Sequence, residues 1–134
     1  MAAKLAKQSL DAGLLTTQGD VAMRFYRDLL GFPEDGEVPF PGIGIVKRLR
    51  CGDSILRILV LEKEPPHHAS TDGFTSQSGL RYLTLTVENL QEIVDAVGLA
   101  GFPVPVPPRV LRPGVTVAQI ADGLGTTIEL MQMS

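Results

Sequence analysis

The sequence holds one cysteine, Cys51, no tryptophan and only 5% aromatic residues. A lone cysteine excludes an intramolecular disulfide, which accords with a reducing cytoplasm. No apolar run approaches the ~18–20 residues of a membrane span, and the start, MAAKLAKQSL, lacks the apolar stretch of a secretory signal. A cytoplasmic protein is expected. Net charge is only −3 over 134 residues, so no overall field points to nucleic acid or to an anionic membrane, and neither is expected as a partner. The one local departure is Lys47-Arg48-Leu49-Arg50, three cations in four residues. Such a run reads either as a solvated strand surface or as an anion-binding patch. Cys51 adjoins it, and neighbouring cations favour a thiolate. With no histidine nearby in sequence to act as a base, a half-buried structural thiol is the stronger reading.

What the chain does have is an internal repeat. Leu30-Gly31-Phe32 returns as Ala100-Gly101-Phe102, 70 residues on, and each triplet closes a helical pattern. Ile55–Leu59 returns as Thr127–Met131 after 72 residues, each in a strand pattern. A period this long implies a domain of two related modules, about 9–63 and 80–132, rather than a solenoid. In the first module the pattern gives a strand at 10–16 and a helix from Asp20 to Leu30. Val21, Ala22, Phe25, Leu29 and Leu30 form its apolar face, Asp20 either caps it or meets its positive end, and Gly31 is its stop. GEVPFPG, residues 36–42, reads as a loop or weak edge strand, and 43–51 and 54–62 read as strands. Residues 64–79 are polar and aperiodic, a mobile connection by composition. His67 and His68 within it lack the helical spacing that would converge two imidazoles on one metal.

The second module opens with a strand at 80–87. Asn89 and Glu92 follow as a capping box, before the stripe Leu90, Ile93, Val94, Val97 and Ala100. Prolines mark 104–112 as an edge strand, and strands at 114–121 and 125–132 complete an order of βαββ(β) twice. This predicts an α+β fold with mostly antiparallel sheet. Strand alternation sends Leu83, Leu85 and Val87 to one face and Tyr82, Thr84 and Thr86 to the other. The same rule separates Thr127, Glu129 and Met131 from Ile128 and Leu130. Each module thus presents a partly polar strand face, and two such faces suit a central cleft.

The helix end FYRDLLGF and the closing strand ADGLGTTIELMQ resemble the glyoxalase/bleomycin-resistance/dioxygenase superfamily, the vicinal oxygen chelate proteins. The resemblance extends over about residues 10–132. It implies paired βαβββ modules forming an incomplete barrel around a central cleft, commonly in a homodimer. Members of that family usually hold one divalent ion through His or Glu side chains on the first and last strands of each module. By position those ligands fall at Asp11 (or Ala12), Arg57, Tyr82 and Glu129. An arginine cannot coordinate a metal, and two carboxylates are too few for a zinc or iron site of this type. No dedicated metal is therefore expected, and the Arg57 guanidinium is expected to stand in for the metal's charge, paired with Glu129 and with Asp11.

The resemblance and its departures favour a metal-free protein that binds a small organic molecule through Asp11, Arg57, Tyr82 and Glu129. The scarcity of aromatics argues against a large cationic drug and for an anionic or carbonyl-bearing ligand. The alternative is an enzyme of the same superfamily (a lyase, isomerase, epimerase or ring-cleaving dioxygenase). It would be either metal-dependent or metal-independent, the latter with Glu129 as catalytic base and with Arg57 and Tyr82 stabilising an oxyanion.

Overall fold

A computed structural model describes all residues, Met1–Ser134. The chain divides into two compact units, Met1–Glu64 and Pro65–Ser134. The first contains β1 (Ala12–Thr16), α1 (Gly19–Met23), a π-helical continuation (Arg24–Leu29), β2 (Glu34–Phe40), β3 (Gly44–Cys51) and β4 (Ser54–Leu61). The second contains β5 (Tyr82–Thr86), α2 (Leu90–Leu99), β6 (Val106–Arg112), β7 (Val115–Ala121) and β8 (Thr127–Met133). Each unit builds one open four-stranded mixed sheet. The orders are β1-β4-β3-β2 and β5-β8-β7-β6, so the two units share one topology. In each, the first strand pairs parallel with the last and the remaining pairs are antiparallel. The α+β architecture of paired βαβββ modules expected from the sequence is present.

Alternation places the cores. In the first unit Leu49, Leu56 and Ile58 are buried together with Ala22, Phe25 and Tyr26 of the helical segment. In the second, Ala118, Ile120, Ile128 and Leu130 are buried along with Leu90, Val94 and Val97 of α2. Gly31 and Gly101 end the helical segments at φ +77° and +91°, a backbone region that a side chain would strain.

Two local expectations are corrected, and one left between alternatives is decided. The first helix is not uniform. From Arg24 it widens to π geometry and closes with Leu30 N–H donating to Phe25 O at 3.0 Å. The wider turn lets two consecutive aromatics, Phe25 and Tyr26, both bury fully, edge to face at 4.8 Å between ring centres. Of the two readings of residues 36–42, a loop or a weak edge strand, the structure has the edge strand. Most of these residues belong to β2, which is an edge strand, the position where a proline's missing N–H is tolerated. The capping box at Asn89 does not form either. Its amide donates to Glu92 Oε2 at 3.3 Å, while the free N–H of Leu90 is taken by Gln132 Oε1 at 2.9 Å from β8.

The segment 65–79 belongs to the second unit and carries its own order. Ser70 Oγ and Ser76 Oγ lie 2.7 Å apart, Ser70 N–H donates to Gln77 Oε1, and Arg81 Nη2 donates to Ser70 O at 3.1 Å. No helix is long and apolar enough to cross a membrane.

Candidate functional site

Each sheet has one face against its helix and one open face. On the open face of the first sheet, register sets Gly13 beside Arg57 and Arg57 beside Arg48. Two arginines directly opposite each other on neighbouring strands repel, and such a pair costs stability unless something compensates. The compensation comes from the flanks. Arg57 Nη1 donates to Asp11 Oδ2 at 2.7 Å, and Asp11 Oδ1 also meets Lys7 Nζ at 2.7 Å. On the far side Arg48 Nε donates to Asp35 O at 3.2 Å, and Arg48 Nη2 lies 3.5 Å from Asp35 Oδ2. Asp35 Oδ2 also accepts from Arg50 Nη2 at 2.9 Å.

The resulting line runs Arg50, Asp35, Arg48, Arg57, Asp11, Lys7, with signs plus, minus, plus, plus, minus, plus. Four cations face two carboxylates, and no acid stands between the two inner arginines. Arg57 keeps Nε and Nη2, and Arg48 keeps Nη1, without a protein partner. Asp11 is fixed in its charged form. The Arg57 guanidinium first, then Lys7 and the Ile55 N–H, hold its carboxyl well below the usual carboxylate range.

The open face of the second sheet differs at every equivalent place. Thr84 stands beside Glu129 as Gly13 stands beside Arg57, and Gln119 stands where Arg48 does. Thr84 Oγ1 donates to Glu129 Oε1 at 3.0 Å. Tyr82 is 48% exposed on this face, its ring edge-on to Phe74 at 5.6 Å. The structure therefore joins Arg57 to Asp11 in one unit and Glu129 to Thr84 in the other. Tyr82 shares the face of Glu129.

Two participants, Asp35 and Arg81, are not evident from the sequence. Asp35 precedes the 36–42 stretch and carries no motif of its own. Arg48 was visible as part of a cationic run, but only the strand register sets it against Arg57. Arg81 was not singled out at all. Its guanidinium donates to the carbonyls of Phe74 and Ser70 at 3.3 and 3.1 Å, tying the 70–77 turn to the start of β5. It borders a cavity of about 220 Å3 in the second unit, with Ser70, Thr71, Pro105, Gly123 and Thr126. Cys51 is half-buried, and burial pushes its thiol up in pKa, away from a reactive thiolate.

A model of the Glyoxalase/Bleomycin resistance protein/Dioxygenase superfamily matches residues 11–130. The chain belongs to this superfamily. Solved structures agree in fold. A glyoxalase family protein from Bacillus cereus superposes with a TM-score of 0.79 at 18% identity, covering 98% of this chain and 96% of its own. TnmS3, an antibiotic binding protein from Streptomyces sp. CB03234, gives 0.69 at 19%, covering 98% and 100%. A lactoylglutathione lyase from Agrobacterium tumefaciens gives 0.63 at 18%, covering 96% of each chain. No curated protein matches the sequence.

The superfamily implies a divalent ion, and the residues expected at its positions do not suit one. In the first unit the pair is Asp11 and Arg57. The first is already bound by two cations, and the second is a permanent cation itself. In the second unit the pair is Tyr82 and Glu129, with one carboxylate between them. Within either unit, no three His, Cys, Asp or Glu side chains converge as a metal site requires.

Proposed function

We propose that this superfamily member binds a small organic molecule without a metal, and that its ligand carries an anionic or carbonyl group received by Arg48 and Arg57. The observation that carries the reading is the unbroken pair of cations at the centre of the charged row, flanked but not separated by acids. Guanidinium N–H groups without protein partners on both members provide donors in the planar fork geometry that suits a carboxylate. An anion placed there removes the repulsion between the two cations, so binding gains from relief as well as from contact.

An antibiotic binding protein among the structural neighbours is a precedent on this fold for holding a small molecule. With no tryptophan and few aromatics, this chain is poorly equipped to stack a large aromatic drug.

The test is a thermal-melt screen of chelator-treated protein against small organic acids and against Mg²⁺, Mn²⁺, Fe²⁺, Co²⁺, Ni²⁺ and Zn²⁺. A ligand at a hundred times its dissociation constant adds about 2.7 kcal/mol, a shift of several degrees. At least one acid is expected to raise the melting temperature, and Arg48→Gln to reduce that gain. A clear upward shift with one metal ion, reversed by chelator, together with flat melts for every acid, would contradict the reading.

A further inference from the structure

We infer, resting on the anion-binding reading above, that the ligand is an amphipathic organic carboxylate. Its head lies between Arg57 and Arg48, beside the open space that Gly13 leaves on the other side of Arg57, and its apolar body runs along the strands over the rows that hold Leu15 and Phe40. The polarity of this open face changes along the strands in one direction only. On one side of the arginine row stand Arg50 and Asp11. On the other side the next row with the same orientation is Leu15, Leu59, Val46 and Val38, one residue from each of the four strands. The row beyond that contains Leu61, Gly44 and Phe40. Two steps of two residues each span about 13 Å.

Leu15 is 65% exposed, Val38 49% and Phe40 50%. Single exposed apolar side chains are ordinary, but a contiguous apolar band beside a cationic row calls for a covering group. The charge complementarity is specific, because a neutral apolar partner would leave the remaining guanidinium N–H groups of Arg48 and Arg57 without an acceptor and a purely polar anion would leave the band wet.

Gly13 supplies an independent sign. It sits in the middle of β1 with no positive φ, so its backbone does not require glycine. An added Cβ would meet no atom of its own unit within 4 Å, so packing does not require glycine either. A glycine inside a strand weakens it and often marks a place where another group comes close. In the second sheet the equivalent place is filled by Thr84, whose hydroxyl bonds Glu129. The first sheet instead leaves open space beside Arg57.

Calorimetric titration of the full chain with sodium octanoate, sodium acetate and sodium citrate tests this. Octanoate is expected to bind at least ten-fold tighter than either of the others. Gly13→Thr, which copies the second sheet, is expected to weaken octanoate at least ten-fold while melting no lower than the parent protein. Leu15→Glu, at an exposed position that folding tolerates, is expected to weaken it comparably. Acetate or citrate binding as tightly as octanoate would overturn the amphipathic ligand and leave the anion-binding reading intact. Octanoate bound equally well by both variants would overturn this placement. No binding by any of the three acids would overturn both.

Discussion

Asp11 and Arg57 hold each other in place, and the consequences reach past the pair. An aspartate whose folded-state pKa is depressed contributes stability in full above its unfolded value of about 3.9, and loses it progressively as pH falls from there through the lower folded value. The Asp11 contribution is therefore complete at neutral pH, begins to decline near the unfolded value and is gone in strong acid. Carboxyl-carbon NMR is expected to show Asp11 titrating well below an ordinary aspartate. In Arg57→Met its midpoint should rise toward 3.9, incompletely because Lys7 remains 2.7 Å away. An unchanged midpoint in that variant would mean the 2.7 Å contact is not what sets the charge. The pair also orients Arg57. With Nη1 held by Asp11, the remaining donors of the guanidinium are presented to the open face. A lysine there would be a conservative change in charge only, since it lacks the fork.

At the scale of elements, α2 shows how a helix end is secured from outside its own sequence. Gln132 of β8, not Asn89, caps the first N–H of the helix. Capping substitutions cost about 0.5–2 kcal/mol. Gln132→Ala is therefore expected to lower stability by about 1 kcal/mol in denaturant melts, and Asn89→Ala by only a few tenths. The reverse order would restore the capping box. Element existence and type were legible because period-two and period-3.6 apolar patterns report on local burial, as Leu83/Leu85 and Leu90/Val94/Val97 show. The cap was not legible, since Asn89 and Glu92 have the right spacing but a partner 42 residues away competes successfully. Nor was the π-helical stretch, because Phe25 and Tyr26 fit an α-helical stripe almost as well and tertiary packing decides between them. The row of charges was half legible. Register between β3 and β4 is needed to know that Arg48, rather than Lys47, shares a face with Arg57.

For the whole molecule, one topology is used twice with different chemistry on the open faces. The first sheet carries a cationic row beside an apolar band, and the second carries Thr84, Glu129 and Gln119 at the matching positions. Superfamily membership fixes the architecture over residues 11–130, while the first sheet sets two arginines, Arg48 and Arg57, opposite each other at its centre. The central proposal is that this pair receives an organic anion. Side-chain nitrogen NMR of the arginines, recorded on chelator-treated protein during titration with sodium octanoate, measures that most directly. The account predicts saturable shifts of the Arg48 and Arg57 guanidinium resonances, with Arg109 and Arg112 of the second unit unmoved. Shifts confined to other arginines, or none at an acid concentration that stabilises the fold, would contradict it.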